Sequence, residues 1–187
     1  MRAWIDRRGG KRGLVVLGLA LLAMVQAGAI VVSASRTKNP PVVRPPDLAI
    51  GDAISEVRGR DSLARITKVP LRREDLGWTV LLAFSPACAW CDSVAPLWKR
   101  WTRESRSRVR VVAIASGEPS AALRYTDAHG WKFGELIVVD SGVTGVLGRQ
   151  LTRKTPWLFL FDSSGTLRYS GHGNEVGAVD SLVGLSR

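Results

Sequence analysis

The feature that most constrains this chain is an apolar strand that leads directly into an amphipathic helix, with two cysteines at the junction. Residues 79–84 (TVLLAF) are a continuous apolar run, typical of a strand that is covered on both faces of a sheet. Residues 85–87 (SPA) interrupt this run. The spacing then becomes helical, and the apolar positions are Val94, Leu97, Trp98 and Trp101. The sequence therefore predicts a buried strand, a short turn and a helix, with the cysteines near the helix N-terminus.

Cys88 and Cys91 are the only two cysteines of the chain. The free amides and the positive dipole end of a helix N-terminus favour a thiolate, and such a setting lowers a cysteine pKa from about 8.5 to between about 3.5 and 7.5. Cys91 lies one turn further into the helix and is more shielded. We therefore predict a redox-active pair in which Cys88 attacks and Cys91 resolves the mixed disulfide.

Three other interpretations of the pair stay open at this point. A zinc site would need more ligands, and His129 and His172 are too far apart in sequence for a finger-like spacing, so both are interpreted as loop residues. A purely structural disulfide would close a very small loop and restrain the unfolded chain little. Two inert, buried thiols also fit the pattern. A Cys-x-x-Cys in a strand-helix-strand context is most typical of a redox motif, and we predict no metal and no cofactor.

The N-terminal region has the pattern of a membrane anchor. Residues 14–32 contain no charged side chain and would span about 28 Å as a helix, which is enough to cross a bilayer. The preceding residues 1–13 are strongly basic, which places the N-terminus in the cytoplasm and the rest of the chain outside. A cleaved signal peptide is the alternative, because residues 32–34 (VSA) resemble a cleavage site.

Four segments follow from this pattern. We predict a basic cytoplasmic N-terminus (1–13), a transmembrane anchor or signal peptide (14–34), a proline-rich linker (35–52) and one folded domain (53–187). The formal net charge of +11 suggests nucleic acid as a possible partner. No basic run is interleaved with stacking aromatic residues, however, so we predict no nucleic-acid partner.

The remaining elements of the domain predict a mixed sheet with helices on both faces. One or two short edge strands are expected within residues 56–76, and Gly130 is expected to end the second helix. The other predicted elements are strands at 109–115 and 136–139, helices at 119–129 and 143–151, a hairpin of 157–161 with 166–169 around the DSSG turn, and a last helix through residues 176–183.

Two motifs carry a resemblance to a known family. Residues 84–96 (FSPACAWCDSVAP) and residues 154–162 (KTPWLFLFD), followed by Gly165, resemble the thioredoxin superfamily. The chain is most similar to its membrane-anchored TlpA/ResA-like branch, and the MauD-type accessory proteins are also similar. The resemblance covers about residues 50–187. It implies a thioredoxin-like three-layer α/β sandwich with a mixed central sheet, preceded by one transmembrane helix.

The resemblance also implies roles for particular residues. The Thr155–Pro156 bond is expected to be cis and to lie against the cysteine sulfurs, so that Thr155 and Pro156 line a substrate groove. Trp90 is predicted to contact a client protein, with simple packing over the disulfide as the alternative. Many relatives have a buried acid behind the cysteines, but Leu82 and Val94 occupy those positions here. Asp92 is expected to face solvent, so the sequence identifies no general base.

The function that the resemblance implies is thiol-disulfide exchange by a single-pass protein of the bacterial plasma membrane, with its C-terminal domain in the periplasm. Such a protein receives electrons from a membrane donor and reduces cysteines of client proteins, for example in cytochrome c biogenesis or metalloprotein maturation. Three alternatives remain: a redox-silent binding or assembly module, a thiol peroxidase and a copper-delivery protein.

Overall fold

The computed structural model describes residues 22, 24, 47–72, 77–105, 107–131, 134–139, 143 and 145–184. The chain divides into a unit of Met1–Arg44 and a unit of Pro45–Arg187, and the architecture below is that of the second unit. The predicted membrane span at 14–32 lies outside the described residues, apart from Leu22 and Met24. Within the described residues, no helix combines the length and apolar character that crossing a bilayer requires.

The described part of the second unit contains strands and helices that alternate between Trp78 and Asp162, with two further strands before this stretch and one strand and one helix after it. The strands are β1 (Glu56–Arg60), β2 (Ile66–Pro70), β3 (Trp78–Phe84), β4 (Arg110–Ser116), β5 (Glu135–Val139), β6 (Trp157–Asp162) and β7 (Leu167–His172). The helices are α1 (Ala89–Ser105), α2 (Pro119–Ala128), α3 (Gly145–Thr152) and α4 (Val176–Leu182).

The seven strands form one mixed sheet in the order β2-β1-β5-β4-β3-β6-β7. β3, β4 and β5 are parallel, whereas β6 and β7 and the β1–β2 pair join through antiparallel ladders. Leu82 of the central strand β3 lies opposite Ala113 of β4 on one side and Leu158 of β6 on the other. This central position explains why β3 is apolar at nearly every residue.

Each face of the sheet carries its own core. Val80, Leu82 and Phe84 point to the face that α1, α2 and α4 cover, together with both cysteines. Leu81 and Ala83 point to the opposite face, where Leu151 of α3 packs. Successive side chains of a strand alternate between faces, so one continuous apolar strand supplies both cores. The predicted mixed sheet with helices on both faces is confirmed.

The predicted elements are present, with small shifts at their ends. The cysteine helix begins at Ala89, earlier than the apolar period that starts in the sequence after Asp92. The first turn of α1 is not covered by other elements on the side of Trp90, so its residues do not show the apolar period. Gly130 has a φ of +61°, which confirms the predicted end of α2 at this glycine.

The described part of the predicted linker contacts the β6–β7 hairpin. The Gly51 amide donates to the Leu167 carbonyl at 2.9 Å, and the Leu167 amide donates to the Asp52 carbonyl at 2.8 Å. The Ile54 amide donates to the Gly165 carbonyl at 2.8 Å. Residues 51–54 therefore add a short stretch of backbone pairing to the domain ahead of β1.

Candidate active site

The two cysteines lie where β3 ends and α1 begins. Cys88 comes directly before the first residue of α1, and Cys91 is in its first turn. The Cys88 amide donates to the Ser85 carbonyl at 3.0 Å, which closes the turn after β3. Both are free thiols, and Cys88 is half-buried whereas Cys91 is fully buried. The turn thus presents one sulfur toward solvent and holds the other in the core.

The surroundings give the two thiols opposite acidities. Burial raises the pKa of Cys88, but hydrogen bonds to its thiolate from Cys91, from Thr155 and from the first amides of α1 outweigh burial, so its pKa is lowered. The pKa of Cys91 is raised to about 12, first by burial and then by its hydrogen bond to Cys88 and the Cys88 charge. The predicted division into an acidic outer thiol and a protonated inner thiol therefore has a structural basis.

The Thr155–Pro156 segment lies against the outer cysteine. The peptide bond before Pro156 is cis, which confirms the expectation. The Cys88 thiol donates to the Thr155 carbonyl oxygen at 3.4 Å, although the two residues are 67 positions apart in the chain. The fold therefore brings together Cys88, Cys91, Thr155 and Pro156 as the resemblance implies, while their catalytic and binding roles stay predictions.

Trp90 projects from the first turn of α1. Its side chain is 73% exposed, which argues against packing over the cysteines. A second aromatic group lies at the start of β6, where the Lys154 ammonium is 4.7 Å from the centre of the Trp157 ring. Trp157 is half-buried and packs against the core on the sheet face opposite the cysteines, whereas Trp90 is exposed between them. An exposed aromatic side chain between reactive residues is suited to apolar contact with another protein. The predicted role of Trp90 as a client contact stays a prediction.

Two supporting residues of the site were not identified from the sequence. The Trp98 indole N–H donates to the Gly173 carbonyl at 2.6 Å, and the Gly173 amide donates to the Pro156 carbonyl at 3.1 Å. A Cβ on Gly173 would lie 2.8 Å from side-chain atoms of both Pro156 and Trp98. The Gly-His-Gly sequence at 171–173 hints at such a close approach, but it does not identify the partner.

Asp92 faces solvent as expected, with a side chain that is 59% exposed, but it also has partners that the sequence did not indicate. Its carboxylate accepts a hydrogen bond from the Tyr125 hydroxyl at 2.8 Å, and His129 Nε2 lies 3.4 Å from the same oxygen. The reason is tertiary: α2 packs beside the first turn of α1, so residues 33 positions apart meet. No local pattern in the sequence could have identified Tyr125.

The positions that hold a buried acid in many thioredoxin-like proteins are apolar here and lie in the core. Leu82 is fully buried and Val94 is 5% exposed. Within the described residues, no three histidine, cysteine, aspartate or glutamate side chains come together as metal ligands.

No protein-family model matches this sequence, and no curated protein matches it. Solved structures do match. A hypothetical protein from Sinorhizobium meliloti is 17% identical, with a TM-score of 0.62 over 74% of this chain and 86% of that chain. A peroxiredoxin-like protein from Aquifex aeolicus is 14% identical, with a TM-score of 0.58 over 75% and 90% of the two chains.

The thioredoxin domain of a thiol-disulfide oxidoreductase from Bacteroides vulgatus is 12% identical, with a TM-score of 0.58 over 73% of this chain and 99% of that domain. Identities this low carry information about architecture. The sheet order, the cysteine turn and the cis proline agree with the same conclusion. This chain has a thioredoxin-like α/β fold with a mixed seven-stranded sheet, as its resemblance to the thioredoxin superfamily predicts.

Proposed function

We propose that this protein is a membrane-tethered, extracytoplasmic thiol-disulfide oxidoreductase that reduces client disulfides through Cys88 and Cys91. The observation that carries the proposal is the placement of the two thiols, with Cys88 half-buried directly before α1 and Cys91 fully buried in its first turn, because exchange needs one accessible attacking thiol and one shielded reserve thiol. The Thr155 carbonyl beside Cys88 adds a fixed backbone group next to the outer sulfur.

The reaction proceeds in two exchange steps. The Cys88 thiolate attacks one sulfur of the client disulfide, forms a Cys88–client bond and releases the other client sulfur as a thiolate. Cys91 then loses its proton and attacks the Cys88 sulfur, which forms the Cys88–Cys91 disulfide and releases the second client sulfur. Two electrons pass to the client, and the proton from Cys91 and one from solvent complete its thiols. A dithiol donor in the membrane returns the pair to its reduced form.

The environment of Cys91 favours the second step only after the first has occurred. Burial is the largest cause that raises the pKa of Cys91, and the hydrogen bond and charge of the Cys88 thiolate raise it further. Both contributions of Cys88 disappear once its sulfur is bonded to a client. The pKa of Cys91 therefore falls when this thiol has to act.

The first test is the redox equilibrium of the purified full-length chain with glutathione, measured by thiol trapping. A reduction potential near or below about −270 mV supports a client reductase, whereas a value near about −120 mV indicates an oxidant. If no reversible disulfide forms, the chain is a redox-silent binding module. In that case, replacing both cysteines by serine would leave its cellular phenotype unchanged.

Membrane tethering rests on the sequence of residues 1–34, with its basic start and uncharged stretch. We expect the chain to resist alkaline extraction from membranes, and its C-terminal domain to be digested by protease in spheroplasts. Release by alkali as a shortened chain would indicate the cleaved signal peptide instead.

The clients belong to the proposal too. Proteins of an oxidising compartment whose cysteines must be reduced before a cofactor is attached, such as apocytochrome c, need such a reductase. A deletion strain is expected to lose cytochrome c with covalently bound haem and to regain it when an external thiol reductant is added. Unchanged cytochrome c would exclude this client class.

A further inference from the structure

A hydrogen-bonded cluster of Asp92, Tyr125 and His129 lies beside the cysteine pair. Asp92 follows Cys91 directly in the first turn of α1. Its Oδ1 atom accepts from the Tyr125 hydroxyl at 2.8 Å and lies 3.4 Å from His129 Nε2. Two side chains from α2 and its C-terminal end therefore fix a carboxylate that would otherwise move freely in solvent.

Tyr125 connects this carboxylate to the core around the sulfurs. Its ring stacks on Phe84 at a centroid distance of 5.3 Å, and Phe84 is the last residue of β3 before the cysteine turn. Tyr125 and Cys88 both pack against the core cluster that contains Cys91. Burial raises the pKa of Tyr125, the Asp92 carboxylate raises it further, and negative charge on Cys91 and Cys88 adds to both. The Tyr125 hydroxyl that donates to Asp92 therefore belongs to a side chain that packs in the same core cluster as the two sulfurs.

We infer that Asp92, positioned by Tyr125, destabilises the thiolate of the cysteine pair and thereby makes the pair a stronger reductant. The inference rests on the thiol exchange proposed above. A nearby negative charge disfavours the ionised form of a thiol. A less stable dithiol state passes its electrons on more readily. Conversely, a pair whose dithiol state is strongly stabilised is a strong oxidant. Tyr125 is a positioning residue, because it acts through the carboxylate that it holds.

Other charged groups near the carboxylate limit the size of this effect. His129 Nε2 lies 3.4 Å from the same carboxylate oxygen, so a protonated imidazole would offset the charge of Asp92. The Lys99 side chain extends from α1 toward Gly130, which follows His129 in the chain. Its Nζ atom would lie 2.8 Å from a Cβ on Gly130. The Asp92 side chain is also 59% exposed. The influence of Asp92 is therefore modest and sensitive to salt.

The main experiment compares Asp92→Asn with wild type in the full-length chain. The equilibrium constant with glutathione is measured by thiol trapping at about pH 8 and low salt. We expect Asp92→Asn to favour the dithiol by about threefold, which at about 30 mV per tenfold change raises the reduction potential by about 14 mV. The alkylation rate of Cys88 at about pH 6 is expected to rise as well, because more thiolate is present.

Asp180→Asn is the matched control for the carboxylate. Asp180 also accepts a hydrogen bond from an aromatic side chain, the Trp101 indole N–H at 2.7 Å. Trp101 lies ten residues after Cys91 in the same helix, about 15 Å along its axis. We expect Asp180→Asn to leave the glutathione equilibrium unchanged.

Tyr125→Phe tests the positioning role separately from the charge. This change frees the carboxylate to move into solvent, so we expect the same direction as Asp92→Asn with a smaller size. Tyr169→Phe is its control, because the Tyr169 hydroxyl donates to the Glu175 carboxylate and Tyr169 packs against the same core cluster. About 1 M salt is expected to remove most of the difference between wild type and Asp92→Asn.

The outcomes separate this inference from the proposed function. If wild type forms a reversible disulfide but Asp92→Asn and Tyr125→Phe behave as their controls do, the inference is wrong and the proposed function stands. If the potential falls in Asp92→Asn, the carboxylate has the opposite role and the inference is also wrong. If wild type forms no reversible disulfide, the proposed function itself fails.

Discussion

Helix α1 contains two regions with opposite surroundings. In its first turn, Trp90 is 73% exposed and lies between the two cysteines. Two turns further on, Trp98 is fully buried and its indole N–H donates to the Gly173 carbonyl at 2.6 Å. Trp101 follows with a hydrogen bond to Asp180. One end of the helix is open to other molecules, and the other end is attached to α4 and the loop before it.

This difference shows how the site combines access with order. A helix is rigid along its axis, so the packing of the buried tryptophans Trp98 and Trp101 also holds the first turn of α1 in place. The sulfurs are therefore fixed without being covered by these side chains. Trp98 also holds Gly173, whose amide donates to the Pro156 carbonyl at 3.1 Å. The same residue therefore supports both sides of the site, the cysteine turn and the Thr155–Pro156 segment.

The change with the largest expected effect is Cys88→Ser in the open region. It removes the attacking sulfur, so we expect no detectable reduction of a model disulfide. The free energy of unfolding of the reduced protein should change by less than about 1 kcal/mol, because the side chain is half-buried and similar in size. Insulin reduction and urea denaturation measure the two quantities. Residual exchange in this variant would show that Cys91 can attack alone.

In the anchored region, Trp98→Ala is expected to lower the free energy of unfolding by about 3–5 kcal/mol, since it empties a fully buried site. Trp98→Phe is the matched variant, which keeps most of the apolar volume and leaves the Gly173 carbonyl without its donor, at a cost of about 1–3 kcal/mol. Urea denaturation of both variants checks these values. If both variants lose the same free energy of unfolding, the hydrogen bond to Gly173 rather than the packing of the Trp98 ring provides the stabilisation.

Gly173→Ala tests the link between the anchor and the proline segment. The added Cβ would lie 2.8 Å from atoms of Pro156 and Trp98, so we expect a loss of about 1–3 kcal/mol and slower exchange at Cys88. Gly177→Ala is the control, because nothing lies within 4 Å of a Cβ at that position. If the exchange rate of Gly173→Ala stays at the wild-type value, the contacts of Gly173 with Trp98 and Pro156 do not affect the reactivity of Cys88.

The pH dependence of alkylation distinguishes the two sulfurs. The lowered pKa of Cys88 means that its thiolate forms at lower pH than that of an unperturbed cysteine. The alkylation rate should fall about tenfold per pH unit below that pKa, and it should level off above it. The pKa of about 12 keeps Cys91 protonated over this range. Peptide mapping after brief iodoacetamide treatment should find label on Cys88, and equal labelling of both would contradict the assigned asymmetry.

Trp90→Ala is expected to have the smallest effect on stability, within about 0.5 kcal/mol, because the side chain is largely exposed. The exchange rate with glutathione should also stay near the wild-type value. Reduction of a folded protein disulfide should become slower through a higher KM, since an apolar contact with the client is lost. A loss of stability comparable to that of Trp98→Phe would erase the distinction between the two regions.

Local patterns were sufficient to predict most of the elements. The apolar run of β3, the helical period of α1 and the turn residues between β6 and β7 each act over a few residues, so they can be identified without the fold. The shift of the α1 start to Ala89 shows the limit of this approach. Ala89 and Trp90 at the start of this helix are exposed, so its first turn has no apolar period that would reveal it.

The sequence by itself determined the strand-helix junction, the two thiols at it and the proline motif, because neighbouring residues create these features. Tertiary packing brings distant groups to these features: Thr155 against Cys88, Tyr125 on Asp92, and Gly173 on Trp98. The family resemblance predicted the first of these contacts, and only the tertiary structure decided the other two. These contacts join residues 67, 33 and 75 positions apart. They depend on how α2, β6 and the loop before α4 pack around α1, and no periodicity along the chain encodes such a meeting. The acidity of the two thiols depends on the same packing, because burial and hydrogen bonds set it.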